Sequence, residues 1–543
     1  MHITFIATRK NSDPAERELY EMDFLLRILG LKRCFVDLGL QTIAACTPPG
    51  VEMTLVDEYS EEIDYTAPTD LVALSAKTSC VTRVYEVARR FREQGTTVVL
   101  GGIHATLRPD EALEHVDCVV TGEAEQVWPQ VVADAQAGKL KARYDTGDYP
   151  PLDQIPLPKW PTGRAKRYLF HQIQTTRGCP FTCRFCSVPD ISGQAFRFKP
   201  VDRVIAELRA LPKTAASPLL AKRPLYVVDD NFISRTKYTR ELLEAMVPLA
   251  QAGELPPWSA ETTLNVAQDD ALLDLFRDAG CATLIVGIES ISQATLEAMA
   301  KGINFCMTYQ DAIARIHDRG MSVVGNFIVG FDTDTRAVFK DTLDFIQETG
   351  ILYPFFSILT PMPGTALFDE FKEAGRLDHT DWARYDTRHV VFEPRLMRRD
   401  ELMDGYIWLY EQAYGTGLML DRLDRHWRRK SSDGGAHTGS PWTERAFVKA
   451  RLLPEMARGD AELRQLYRQS FKVLSQHKGD AGNLLTMLDS YDFVRFMRRY
   501  RSEKWEDNLQ TFTEAPAQPG PTDDNLTAPQ WHNEKAKRRS ARL

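Results

Sequence analysis

Over the first 375 residues, short apolar runs alternate with amphipathic stretches, and that rhythm points to parallel α/β architecture. Strand candidates in the first part are Ile3–Ala7, Val51–Val56, Leu71–Ser75, Thr97–Leu100 and Cys118–Val120. Between them, Val84, Val87, Ala88 and Phe91 share one face of a helix over Val84–Gln94. Units of this length favour a doubly wound sheet, whose ligands sit beyond the carboxyl ends of the strands. Those ends carry Thr8-Arg9-Lys10, Ser75-Ala76-Lys77-Thr78, Gly101-Gly102-Ile103-His104 and Thr121-Gly122-Glu123. Two of these loops hold glycine, which lets backbone approach a large ligand closely.

Prolines crowd residues 149–167, from Tyr149-Pro150-Pro151 through Pro156, Pro158 and Pro161, and predict a stiff linker. The alternation then resumes from about Tyr168 to Gly375. Its strand candidates are His171–Thr175, Leu225–Val228, Trp258–Glu261, Thr283–Val286, Val323–Val329 and Phe355–Leu359. Helices over Val201–Leu211, Ala271–Ala279 and Thr308–Arg319 separate them. Six such units predict a partial (βα)6 barrel, with functional groups at the strand carboxyl ends. Beyond it, Arg399–Leu423 and Pro441–Arg499 read as helical. The segment Thr511–Leu543, with several prolines and a basic end, reads as a disordered tail.

A chain of 543 residues exceeds one core, so the expected division is 1–148, 149–167, 168–375, 376–510 and 511–543. Lys plus Arg is 67 against 75 Asp plus Glu, a net charge of −8, which argues against nucleic-acid binding. No apolar run reaches the ~18 residues of a transmembrane segment, and Met1–Thr8 has no signal-peptide pattern, so the expected location is cytoplasmic.

Nine cysteines are present. Cys34, Cys46, Cys80, Cys118, Cys281 and Cys306 are scattered. Cys80 stands where it could reach the ligand space of the first sheet, and Cys281 and Cys306 read as buried small hydrophobes. Cys179, Cys183 and Cys186 lie within eight residues, in a loop after a strand. That spacing can turn three thiolates onto one iron–sulfur cube. Such clusters usually take four cysteines, and no fourth lies nearby, which leaves one iron open. Zinc would require a fourth Cys or His close by.

The segment Thr175-Thr176-Arg177-Gly178-Cys179-Pro180-Phe181-Thr182-Cys183-Arg184-Phe185-Cys186 resembles the signature of radical S-adenosylmethionine (SAM) enzymes. The resemblance covers roughly residues 168–375 and implies a 4Fe–4S cluster held by Cys179, Cys183 and Cys186, with SAM chelating the open iron and yielding a 5′-deoxyadenosyl radical. It places Phe185 near the adenine, Asp229, Asp230 and Asn231 around the methionine end, and Glu289 and Ser290 on SAM's polar atoms. It places Gly325, Asn326 and Gly330 along the adenine, and Leu359-Thr360-Pro361-Met362-Pro363-Gly364-Thr365 at the close of the barrel. Alone, Asp-Asp-Asn can be a helix cap and Gly-x-x-x-x-Gly close packing. In order, each at a strand end, they make one pattern.

Val99-Leu100-Gly101-Gly102-Ile103-His104-Ala105-Thr106 followed by Thr121-Gly122-Glu123-Ala124-Glu125 resembles the paired segments of the cobalamin-binding domain that precedes the barrel in a large radical SAM subclass. That resemblance implies cobalamin near Thr8, Ser75, Thr78, Gly101, Gly102, His104, Gly122 and Glu123. The Asp-x-His-x-x-Gly motif that brings histidine to cobalt elsewhere is absent, so His104 stands either as an axial ligand or as a packing residue. The aromatic residues Trp382, Tyr385, Tyr406, Trp408 and Tyr410 stand either over the substrate or in the core.

The resulting expectation is an α/β transferase: a Rossmann-like cobalamin-binding sheet, a radical SAM barrel and a helical region over the substrate. It would methylate an unactivated carbon or phosphorus of a small molecule or lipid, as in hopanoid-type and natural-product methylases, with electrons from an external flavodoxin- or ferredoxin-type donor. Two alternatives stand beside it. One keeps SAM and cluster but transfers the 3-amino-3-carboxypropyl group to a nucleophile such as arsenite, or drives a cyclisation or rearrangement. The other is a corrin or iron–sulfur sensor without turnover.

Overall fold

The computed structural model describes residues 1–10, 21–147, 149–159, 167–212, 223–301, 307–432, 441–476 and 481–504. Cys306, part of the proline-rich linker and the tail 511–543 lie outside the described residues.

The first sheet has six parallel strands: β1 (His2–Ala7), β2 (Glu52–Asp57), β3 (Leu71–Ser75), β4 (Thr97–Gly101), β5 (Cys118–Thr121) and β6 (Arg143–Asp145). Their order is β2-β1-β3-β4-β5-β6. Its inner strands read as continuous apolar runs because helices cover both faces. Along β3, Val72 and Leu74 pack on one side with Val84, Val87 and Phe91 of the helix Val81–Arg92. Leu71 and Ala73 pack on the other side with Phe5, Trp128 and Val131. The chain leaves β1 for the edge strand β2 and returns to β3, so the switch point lies between β1 and β3.

The second sheet is also six-stranded and parallel, in simple sequence order. It comprises β7 (His171–Ile173), β10 (Leu225–Val227), β11 (Trp258–Thr262), β12 (Cys281–Glu289), β13 (Ser322–Val329) and β14 (Tyr353–Ile358). The short antiparallel pair β8 (Thr176–Arg177) and β9 (Arg197–Phe198) brackets the cysteine loop. The expected partial barrel is present, with a departure inside it. Trp258, Ala260 and Thr262 are buried beneath helices, whereas Ser259 and Glu261, pointing inward, keep accessible surface. β12 and β13 alternate similarly. The barrel is hollow, unlike a closed eight-stranded barrel filled by layers of side chains.

The gap between β7 and β14 is closed from outside the barrel. Residues 32–34 pair beside β7, with Leu169 N–H donating to Arg33 O at 2.9 Å and Phe170 N–H to Cys34 O at 3.0 Å. On the opposite edge, Tyr410 of the helix Arg399–Ala413 donates to Phe356 O at 3.0 Å, and Tyr414 to Pro354 O at 2.8 Å. Asp489, on the helix Ala481–Lys504, accepts from Leu25 N–H at 2.9 Å and ties that helix to the one that leads into residues 32–34. The helical expectation for the C-terminal region holds: Thr416–Ser432, Pro441–Arg458 and Ala461–Gln476 complete it. The described part of the linker is tied down, because Arg203 donates to Asp153 O at 2.8 Å and to Ile155 O. No helix among the described residues is long and apolar enough to cross a membrane.

Candidate active site

Cys179, Cys183 and Cys186 share the loop that follows β8, all partly exposed and none in a disulfide. Burial raises all three thiols, Cys186 to about 12. Among the described residues no three Cys, His, Asp or Glu side chains converge closely enough for a single metal ion. A cube that spreads its ligands over three irons fits such a loop better than zinc.

Two carboxylates fix the approach to this loop. Asp229 is fully buried and accepts from Thr175 N–H at 2.6 Å, from Thr176 N–H at 3.0 Å and from the Thr175 hydroxyl. Burial raises it to about 6. Asp230 accepts from Gly178 N–H at 3.2 Å. Asn231 accepts from Ile233 N–H at 3.3 Å and donates to Thr263 at 3.4 Å. In this structure the three accept from neighbouring backbone N–H groups, since a buried acceptor must be satisfied locally.

Glu289, at the end of β12, has φ 62°, a left-handed conformation that is strained for a side chain of its kind. Its carboxylate turns back to Lys301, Oε1 to Nζ 2.9 Å, both nearly buried. A Cβ on Gly287 would stand 2.5 Å from that carboxylate oxygen, so only glycine leaves room for the turn. Lys301 also faces Cys183 and Cys186 and lies 5.9 Å from the Phe185 ring centroid. Phe185 meets Phe331 edge-on at 6.3 Å. Ser290 is buried and accepts from Ser292 N–H at 3.1 Å. Asn326 faces the barrel interior, whereas a Cβ on Gly325 would meet Phe327, Ile288 and Ile351 in the outer core. Gly330 lies under Leu402, its N–H donating to Asp334 at 2.9 Å. Glu289 and Phe185 therefore stand beside the cysteine loop, through Lys301, and Asn326 lines the hollow.

At the first sheet, Thr8, Ser75, Gly102 and Glu123 line the same large cavity, together with Cys80. Thr78 does not; its hydroxyl lies 3.3 Å from His104 Nδ1. His104 is fully buried, with Nε2 3.5 Å from Glu111 and its ring against Trp382. These contacts pack the ring between the helix Val81–Arg92 side of the sheet and Trp382. A Cβ on Gly102 would stand 2.6 Å from Ser75 Oγ, and one on Gly122 would meet Thr146. These glycines serve loop-to-loop packing. Gly101 ends β4, with Val120 O 3.6 Å from where its Cβ would lie.

Glu123, besides lining the cavity, is held in an ion-pair hub. It pairs with Arg177 at 2.8 Å and with Arg197, while Glu125 pairs with Arg177 at 2.7 Å. Arg177 stands two residues before Cys179, so this buried hub ties the first sheet to the cysteine loop. The cavity beside it measures about 1050 Å³. It runs from Thr8 and Ser75–Lys77 past Glu123, Arg177 and Gln174, down the barrel wall to Phe355, Tyr410 and Phe493.

A model described as "Radical SAM superfamily" matches residues 173–346, and one described as "B12 binding domain" matches 28–132. A third, a domain of unknown function, matches 365–506. The chain is 32% identical over 394 residues to bacteriochlorophyllide d C-12(1)-methyltransferase of Chlorobaculum tepidum, covering 71% of this chain and 84% of that protein. The chain belongs to the radical SAM superfamily, in its B12-binding branch. Hopanoid C-2 methylase of Rhodopseudomonas palustris is 30% identical over 393 residues, 71% of this chain and 72% of that protein. A radical SAM methyltransferase from Kitasatospora setae, solved with cobalamin and a 4Fe–4S cluster, shares the fold at TM-score 0.55 and 16% identity. That alignment covers 86% of this chain and 99% of the other.

The enzyme is a radical SAM transferase whose cofactors are a 4Fe–4S cluster, SAM and cobalamin. The three free cysteines fit the cluster, the Glu289–Lys301 pair offers opposite charges beside it, and the cavity along the sheet's carboxyl edge gives a macrocycle room. Four residues of the site escaped the sequence reading: Arg177, Lys301, Tyr226 and Glu261. Glu261 carried a usable signal, since a carboxylate inside an apolar strand run is rare without a purpose.

Proposed function

We propose that the enzyme transfers a methyl group to an unactivated carbon of a large, mostly apolar small molecule, of the kind its bacteriochlorophyllide- and hopanoid-methylating relatives act on. The observation that carries this reading is the continuous cavity that runs from the carboxyl edge of the first sheet, past Arg177 before the cysteine loop and Ile191 and Ser192 after it, into an apolar lobe of the barrel. Residues 1–148 would hold the corrin, 168–375 the cluster and SAM, and 376–510 would cover the substrate. When bound, the cluster and SAM supply a hydrogen-abstracting radical and the corrin supplies the methyl group. The protein's part is orientation and exclusion of water. Asp229 and Asp230 fix the cysteine loop, Glu289 and Lys301 set the charge beside it, and the Glu123–Arg177–Glu125 hub holds the two cofactor-bearing parts in register.

A flavodoxin- or ferredoxin-type protein would supply electrons in the cytoplasm. Anaerobic, reduced holoenzyme incubated with SAM tests the reading. Formation of both 5′-deoxyadenosine and S-adenosylhomocysteine is expected. Methylthioadenosine instead would establish aminocarboxypropyl transfer, and no SAM consumption would establish a sensor. Cys183→Ala should lose both the visible cluster absorbance and SAM cleavage.

A further inference from the structure

Among the described residues, most of the barrel strands' share of the cavity wall is apolar or carries small polar groups, and Tyr226 and Glu261 form an ionisable pair within it. Tyr226, on β10, stands opposite Ser259 of β11, two residues before Glu261 on the same inward face. Its hydroxyl reaches along the strands and donates to Glu261 Oε1 at 2.6 Å. The tyrosine ring is fixed by Phe35, 5.4 Å away, which stacks on Phe170 at 5.0 Å. Both side chains line the cavity, and the surface Glu261 retains is cavity wall.

No cation among the described residues forms an ion pair with Glu261. Its charged neighbours are Asp230 and Glu289, which repel it, and Lys301, already held by Glu289. Burial accordingly raises its carboxyl above the usual range. A carboxyl enclosed in a hollow costs stability unless something hydrogen-bonds to it. A mere cross-link between β10 and β11 does not account for the pair, since backbone bonds already join those strands and a packed apolar pair would do as well.

We propose that Tyr226 and Glu261 form a substrate-anchoring subsite, which hydrogen-bonds an oxygen substituent, a hydroxyl or ring carbonyl, on an otherwise hydrocarbon skeleton. The inference rests on the reading of the enzyme as acting on an apolar substrate and adds how that substrate is oriented. The pair stands midway along the wall. Glu261 is in register with Ile285 and, through it, with Val324, so Asn326 with its partner Phe355, and then the Glu289–Lys301 pair, lie farther along the strands toward their carboxyl ends. An oxygen held there fixes which carbon is presented to the cluster end, so the two residues act as positioning groups.

The test is equilibrium binding to the anaerobic holoenzyme, with a pentacyclic triterpene alcohol and its parent hydrocarbon as matched probes. In the wild type the alcohol should bind at least about tenfold more tightly, a difference of about 1.4 kcal/mol. Glu261→Leu and Tyr226→Phe should bring the ratio of the two Kd values close to one, with the hydrocarbon's own Kd moving less than about twofold. Glu261→Gln, which still accepts from Tyr226 and offers an amide to the cavity, should keep most of the discrimination. A ratio unchanged in Glu261→Leu overturns the subsite, as does a wild type that does not distinguish the probes or binds neither. The methylase reading is scored separately, by the two SAM-derived products in the wild type, so a ratio of one with both products formed overturns the subsite alone.

Discussion

Glu289 concentrates the cost of the site in one residue. It accepts a left-handed backbone, needs Gly287 to make room, and buries a carboxylate that Lys301 neutralises at 2.9 Å. Strain of this kind persists only where surrounding structure enforces it. Removing the cation leaves that carboxylate buried and unpaired, so Lys301→Met should lower the stability of the apo-protein by about 3–5 kcal/mol in chemical denaturation. Lys301→Arg should recover most of the loss. Loss below about 1 kcal/mol in Lys301→Met would show the pair to be solvated instead. The sequence announced Glu289 through its place at a strand end, but Lys301 comes twelve residues later, after a short helix, with no spacing rule to link the two. Asp229 shows the converse limit. Its position beside the cysteine loop was legible, yet its work on the Thr175 and Thr176 backbone was not, since a motif gives neighbourhood and not hydrogen-bond partners.

Elements were easier to read than the joints between them. Strands β1, β3, β4, β5 and β10–β14 follow apolar runs because each is buried under helices, and burial leaves its period in the sequence. The gap filler at residues 32–34 has no such period; its place is set by backbone hydrogen bonds to residues 167–170, which lead into β7. One joint yields a pH dependence. Asp489 accepts from Leu25 N–H across the gap, and burial, with Asp492 and Asp23 nearby, raises its carboxyl to about 7. A folded-state value above the unfolded one means the native chain binds the extra proton. Its contribution is therefore full in acid and is lost as pH rises through about 7. The Tm of the wild type should fall relative to Asp489→Asn between about pH 4 and about pH 7 and then run parallel to it. Parallel profiles would show that the carboxyl stays ionised throughout. The other joint is the Glu123–Arg177–Glu125 hub. Arg177→Met strands Glu125 and leaves Glu123 with Arg197 alone, and Glu125→Gln removes the stranded charge, so the double variant should cost less than the sum by more than about 0.5 kcal/mol in a double-mutant cycle. Being buried, the coupling should persist at high salt.

At the scale of the molecule, the cavity explains why two sheets and a helical cap are needed. The first sheet supplies a carboxyl edge, the barrel a hollow wall, and the helix Ala481–Lys504 with residues 32–38 closes a side that six strands leave open. About 1050 Å³ of interior left unfilled by side chains forgoes the packing that normally stabilises a core, so whatever occupies it should stabilise the fold. Hydroxocobalamin added to apo-protein at about a hundredfold its Kd should add about 2.7 kcal/mol and raise Tm accordingly. Ile103 projects into the cavity beside Gly102 and is already 37% exposed, so Ile103→Trp can fill space there without disturbing a packed neighbour. That variant should keep the Tm of the apo-protein and lose most of the cobalamin-dependent rise. An undiminished rise in Ile103→Trp would place the corrin elsewhere, because a macrocycle on the carboxyl edge of the first sheet cannot avoid a bulky ring grown from that loop.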